Sequence, residues 1–186
     1  VLLQRGEPTM EWTGARYADG PTAETHTRIA ASPERVWELV SDIGLMPELS
    51  TELRSVEWLD GAAGPALGAR FAGRSEHPSF GAWQTTSYVV ECEAPRVFAW
   101  AVEDPEQPSA LWRFSLAATD DGCTELTQWV RMGPGRSGLS HAIDRMPEKE
   151  QKIVYVRMRE FEQNMAATLE AIRKLAEGAA SGEADA

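Results

Sequence analysis

The chain has 186 residues, with 18 Lys+Arg against 29 Asp+Glu and a formal net charge of −11. That length fits one domain with its own core, and a composition 42% hydrophobic and 25% charged is that of a folded protein. The acidic balance argues against a nucleic-acid binder, which needs a basic face, and the apolar runs are too short for stable membrane insertion.

In chain order, residues 1–21 carry Gly, Pro and isolated charges without a period and predict a flexible lead-in. One domain is expected over 22–178 and a disordered acidic tail over 179–186. Glu24–Ile29 reads as a short Thr-rich strand. Ser32-Pro33-Glu34-Arg35 opens a helix, with Ser32 as N-cap and Pro33 at the first helical position. Val36, Leu39 and Val40 keep helical spacing up to Asp42-Ile43-Gly44, and a second short helix is predicted over Met46–Leu53. From Ser55 the period becomes two. Strands are expected at Val56–Leu59, Ala69–Glu76, Trp83–Cys92, Val97–Val102, Leu111–Ala117 and Thr124–Met132, each bounded by Gly, Pro or Asp. The gaps are too short for parallel crossovers, so the sheet is an antiparallel meander. Leu139–Met146 reads as a separate short turn, and Pro147 suits the first position of a helix over Glu148–Glu177, about 45 Å long.

On that helix Val154, Met158, Phe161, Met165, Leu169, Ile172 and Ala176 form one apolar stripe, which has to be buried against the sheet. A twisted antiparallel sheet curls. A straight rod laid across it touches the rims and leaves a gap in the middle, so a cavity is expected there. The fold class is therefore α+β: a curled antiparallel sheet wrapped around a long C-terminal helix, with two short helices after the first strand.

The stretch Ala31-Ser32-Pro33-Glu34-Arg35-Val36-Trp37-Glu38-Leu39-Val40-Ser41-Asp42 resembles the opening helix of the START-like (SRPBCC) superfamily, in its bacterial polyketide cyclase/dehydrase and lipid-transport branch. Gly68–Arg74, Glu93–Trp100, Gly122–Thr127 and Met165–Ile172 are similar to later turns and strands and to the final helix of that branch. The likeness covers about Thr25 to Gly178. It implies a Bet v1-like helix-grip fold around a ligand cavity. It implies no catalytic residue, because this superfamily includes cyclases, hydrolases, carriers and receptors.

Seven tryptophans are present. Alternation puts Trp100 with Phe98 and Val102 on one face, and Trp112 with Phe114 and Leu116 on one face. Trp100, Trp112 and Phe114 are therefore candidate walls of a pocket for a flat apolar ligand, the alternative being that they only fill core. Trp83, Thr85 and Ser87 share a strand face, and Gln128 is a further inward polar group. Such groups need a partner, water or ligand when buried; a register shifted by one would turn them to solvent. Met158, among the methionines of the helix region, is a further candidate contact. Trp129 competes with Leu126, Gln128 and Val130 for its inner face.

Arg74 and His77, near Glu76, are the first candidates for polarising a ketone and moving a proton. Neighbouring strand residues point to opposite faces, so a solvated strand end is the alternative for this cluster. His141, three residues before Asp144, is the third candidate, with a surface placement as its alternative. Gly133-Pro134-Gly135-Arg136-Ser137-Gly138 matches G-x-G-x-x-G literally. It is read as a turn, because Pro134 lacks the N–H a phosphate cradle needs and no βαβ unit follows.

No P-loop, H-E-x-x-H, G-x-S-x-G or EF-hand pattern occurs, and no cofactor or metal is expected. Cys92 and Cys123 form no C-x-x-C pair and read as free thiols in or near the core. Val1–Pro8 shows no secretory signal, and a cytoplasmic monomer or weak dimer is expected. The expected function is binding of a hydrophobic polyketide-like or lipid-like molecule between sheet and helix, with cyclisation or dehydration as the reaction of an enzyme built this way. The alternatives are a non-catalytic carrier, sensor or sequestering (self-resistance) protein, and an interaction module with a filled core.

Overall fold

The computed structural model describes residues 10–178; the expectations for residues 1–9 and for the tail over 179–186 lie outside them. Seven strands form one antiparallel sheet in the order β1-β7-β6-β5-β4-β3-β2. They are β1 (Thr22–Ile29), β2 (Leu53–Trp58), β3 (Arg70–His77), β4 (Gly81–Glu93), β5 (Val97–Val102), β6 (Ala110–Ala118) and β7 (Thr124–Met132). The chain must cross from β1 to β2 at opposite edges, and it does so through α1 (Pro33–Val40), a 3-10 turn and α2 (Met46–Leu49). Ser32 caps α1, its Oγ accepting the Arg35 N–H at 3.3 Å, a contact of about 1 kcal/mol. The second helix stops at Leu49, short of the expected Leu53, because Leu53 already pairs with Ser75 in the β2–β3 ladder.

Each predicted strand is present; β1, β2, β4 and β6 run two or three residues longer than expected, and β3, β5 and β7 keep the expected length. Along β7 every second residue from Thr124 to Met132 is buried, so Gln128 points in while Trp129 lies outside beneath the Arg113 guanidinium. Register shifts between Leu53 and Ser55 and between Val89 and Glu91 break the ladders. Such bulges bend a strand and increase its twist, which helps the sheet curl.

Gly138–Arg145 forms a true helix, α3, and Pro147–Lys149 a 3-10 turn. The long helix α4 therefore begins at Glu150 and runs to Gly178, with Pro147 opening the turn before it. Val154, Met158, Met165, Leu169, Ile172 and Ala176 are its buried side chains. They seat α4 on β1 and β7, at one side of the sheet. At the other rim α4 meets Glu52, just before β2, and His77, at the end of β3, and the gap lies between the two contacts, over the middle strands. No helix among the described residues is long and apolar enough to cross a membrane.

Residues 10–21, expected as lead-in, lie against α4. Tyr155 donates to the Met10 carbonyl at 3.0 Å, Gln151 Nε2 to the Gly14 carbonyl at 2.8 Å, and Glu150 accepts the Tyr17 N–H at 3.1 Å. In the Gly133–Gly138 run the residues before α3 form a loop stitched to its neighbour: Gly133 and Gly135 donate to the carbonyls of Ser109 and Pro108, each at 2.8 Å. A Cβ on Gly135 would stand 2.1 Å from the Gln107 carbonyl oxygen, so only glycine permits this approach.

Candidate functional site

The flank of α4 turned away from β1 and β7 carries Arg157, Phe161, Asn164 and Thr168, one helical stripe offset from the buried one. Between this flank and the inner face of the sheet lies a cavity of about 760 Å³. Its aromatic wall comes from adjacent strands, where Trp100 and Trp112 pair across β5 and β6. Their rings lie 6.4 Å apart with planes 14° from parallel. Phe71 and Phe114 pack against Trp100 at 6.1 and 5.9 Å, and Phe161 of α4 meets Trp112 edge-on at 5.1 Å. Aromatic pairs of this kind add roughly 0.5–1.5 kcal/mol beyond their burial and hold the wall's shape.

Strand alternation decides which polar groups reach the cavity. On β4, Trp83, Thr85 and Ser87 line it together with Ser75 of β3. On β7, Gln128 lines it too; the residue is 6% exposed and its Oε1 is buried without a hydrogen-bond partner. An amide oxygen left in that state costs about 1–3 kcal/mol relative to a satisfied one.

The ionic groups of the cavity are clustered at α4. Arg157 Nη1 and Nη2 donate to both oxygens of Glu52 at 2.6 and 2.8 Å, and Nη1 also donates to Glu160 at 2.8 Å. The guanidinium lies over the ring of Phe161 at 4.6 Å. Burial pushes the Glu52 carboxyl up, but the hydrogen bonds and charge of Arg157 outweigh it and hold Glu52 below the usual carboxylate value. Burial likewise opposes the charge on Arg157, and the bonds to Glu52 more than offset it. Asn164 Nδ2 donates to Glu52 at 3.3 Å, and Thr168 donates to the Leu49 carbonyl at 3.0 Å, which ties the α2–β2 segment to the helix.

His77 ends β3 on its inner face and reaches this cluster, its Nε2 lying 3.3 Å from Glu160. Its Nδ1 accepts the Ser79 N–H at 3.0 Å, so a neutral ring carries its proton on Nε2 and donates it to Glu160. Glu52, His77 and Glu160 offer ligand atoms within 4.8 Å of one another, a donor set that suits a divalent metal. Arg157, however, already binds the carboxylate oxygens such an ion would need and neutralises their charge.

Of the residues singled out in the sequence, Trp83, Thr85, Ser87, Trp100, Trp112, Phe114 and Gln128 line the cavity, and Met158 does not. Met158 is 2% exposed and packs among Ala23, Val130, Met132, Val154 and Met165, on the flank of α4 that is sealed against the sheet. Arg74 and Glu76 alternate away from His77 to the outer face, where Glu76 pairs with Arg54 at 3.6 Å. His141 is exposed on α3, and its expected partner Asp144 pairs with Arg136 instead. Cys92 and Cys123 are free thiols, and burial pushes the Cys92 thiol up, away from the reactive thiolate. Glu52, Arg157, Asn164 and Thr168 went unread, although the i, i+4, i+7, i+11 spacing of residues 157, 161, 164 and 168 was a usable signal.

A family model described as polyketide cyclase / dehydrase and lipid transport matches residues 20–177. The chain belongs to this family. The match leaves out nearly all of the segment that straps α4. The chain is 30% identical to the Polyketide_cyc-like protein Cgl2372 from Corynebacterium glutamicum, with a TM-score of 0.63 over 89% of this chain and 96% of that one. The di-domain ARO/CYC StfQ from the steffimycin biosynthetic pathway is 13% identical, with a TM-score of 0.66 over 86% of this chain and 51% of that protein. The Zhui aromatase/cyclase from a Streptomyces species is 17% identical, with a TM-score of 0.60 over 84% and 93%. The last two likenesses concern the fold. No curated protein matches the chain.

Proposed function

We propose that the protein binds a flat, largely hydrophobic, oxygen-bearing molecule of the polyketide type in the cavity between α4 and the sheet. The observation that carries this reading is the pairing of an aromatic wall, Trp100 and Trp112, with the polar side chains of Thr85, Ser87 and Gln128 around one space of about 760 Å³. Ligand pockets run to about 300–1,000 Å³ and combine apolar walls with a few placed polar groups. Trp83 and Phe114 would complete the contacts. The aromatase/cyclase names of two fold neighbours support the polyketide class, while the family's own description covers lipid transport as well.

A second reading, ring closure of a poly-carbonyl chain with loss of water, is favoured by the ionic cluster at the same wall. Arg157 spends three of its five N–H groups on Glu52 and Glu160, leaving donors that could polarise a ketone, with His77 behind them to pass a proton. The cavity would contribute by folding the chain and excluding water.

Tryptophan fluorescence titrated with anthraquinone and with palmitate tests the first reading. Saturable quenching by anthraquinone is expected, weakened about tenfold in Trp112→Ala, the worth of one stacking contact. Quenching by neither compound overturns the proposal, and quenching by palmitate alone moves it to lipids. Incubation with a linear poly-β-ketone, read as loss of water by mass, separates enzyme from carrier.

A further inference from the structure

Two loops at one end of the sheet border the cavity, the β5–β6 connection through Ser109 and the β7–α3 connection through Arg136 and Ser137. The second of them is gripped at Gly135 from both sides. Its N–H donates to the Pro108 carbonyl at 2.8 Å, and its carbonyl accepts the Tyr17 hydroxyl at 2.5 Å. That hydroxyl also lies 3.3 Å from Oγ of Ser137, and its ring packs so closely on Gly133 that a Cβ there would stand 3.1 Å from Cε1. Tyr17 is in turn pinned to the long helix: its N–H donates to Glu150 at 3.1 Å, and Arg16 pairs with the same carboxylate at 3.3 Å. The rim loop is therefore fastened to α4 by a residue that precedes the stretch 20–177 matched by the family model.

We infer that Tyr17 is the latch of a gate: the strap formed by residues 10–21 holds the β7–α3 loop shut against the β5–β6 loop, and a ligand enters or leaves the cavity when the bond from Tyr17 to Gly135 opens. The inference rests on the proposed cavity function and adds how its ligand exchanges. Tyr17 does not line the cavity itself, so it makes no contact that favours a filled cavity over an empty one. A gate residue without a differential hold on the ligand scales entry and exit alike and leaves affinity where it was. One neutral hydrogen bond is worth about fivefold in the population of the open loop.

The test compares the full chain with Tyr17→Phe, which deletes the hydroxyl and keeps the ring against Gly133. Stopped-flow quenching of tryptophan by anthraquinone (or by palmitate, should only that one quench) is expected to show association and dissociation both about fivefold faster in the variant, with Kd within about twofold. With no ligand present, hydrogen exchange at the Gly135 amide should rise by the same factor while the Val130 amide, in β7, keeps its protection. Should Val130 lose protection too, Glu150→Ala, which frees the strap without altering the loop, takes the place of Tyr17→Phe and must give the same pattern. Unchanged rates, or an unchanged Gly135 amide, overturn the latch and leave the cavity reading standing. Faster dissociation alone with a weaker Kd does the same, since Tyr17 would then support the bound state without gating it. Quenching of the wild type by neither compound sinks both.

Discussion

The two flanks of α4 differ in every respect that matters for function. On one, Val154, Met158, Leu169 and Ile172 are almost wholly buried against β1, β7 and the short helices. On the other, Arg157, Phe161, Asn164 and Thr168 look into the cavity and reach back to Glu52 and Leu49. The first flank is held by apolar burial, which tolerates no polar atom and leaves no space. The second is held by directional bonds between a helix and a loop-borne segment, and such bonds can span a gap that side-chain packing would close. A helix that had to seal both sides would have no room for a ligand. Splitting the two tasks between flanks keeps the helix anchored while one wall stays open.

The comparison breaks most easily on the dry side. Leu169→Ala removes a side chain that is 2% exposed within the main core. A loss of about 3–4 kcal/mol is expected, transfer and residual cavity together, read from the urea midpoint at constant slope. A loss under about 1 kcal/mol would mean that the flank is not sealed.

The next effect is electrostatic and carries a sign. In the wild type, Arg157 holds the Glu52 carboxyl low, so the pair's stabilisation is present above the ordinary carboxylate range and lost as pH falls through the lowered value. Arg157→Met takes away the guanidinium and leaves only the smaller effects of His77 and Asn164 against burial, so the Glu52 carboxyl rises relative to the wild type. The variant is expected to be about 3 kcal/mol less stable near pH 7 and to recover part of the deficit on acidification, as Glu52 takes up a proton. Urea unfolding at several pH values checks this, and a deficit independent of pH would mean that Arg157 acts through packing alone.

Sequence patterning reached one flank and not the other for a physical reason. Leu169, Ile172 and Met165 announce themselves because a buried helical face must be apolar at steps of three and four. Arg157, Asn164 and Thr168 on a helix look like any solvated face, and their partner Glu52 lies in a different element with no local pattern to flag it. The same limit misplaced Met158: with one stripe visible, every residue on it was available to the cavity, whereas Phe161 and Met165 border it and Val154, Met158, Leu169, Ile172 and Ala176 do not. Strands are more legible. Once Trp100 and Trp112 are inward, period two carries Phe114 and Phe98 inward as well, and the bounds of β5 and β7 follow from Ala94-Pro95, Asp120-Asp121-Gly122 and Gly133-Pro134. His77 shows where that reading ends. Its chain neighbours Arg74 and Glu76 were considered with it, while the groups it meets in space come from α4 and from the segment after α2.

The smallest expected effect separates the flanks most directly. Phe161→Ala removes more carbon than Leu169→Ala, and in a sealed core it would cost about 3–5 kcal/mol. Phe161, however, is only partly buried and borders space that is already open, so its truncation enlarges a cavity without creating a new void. What it gives up is the edge contact with Trp112 at 5.1 Å and the face offered to Arg157 at 4.6 Å. Together these are worth about 1–2 kcal/mol. Urea unfolding of the two variants under one condition is therefore expected to rank the smaller truncation as the more damaging. The reverse order would place Phe161 in a packed core and remove the distinction between a flank that anchors and a flank that lines a cavity.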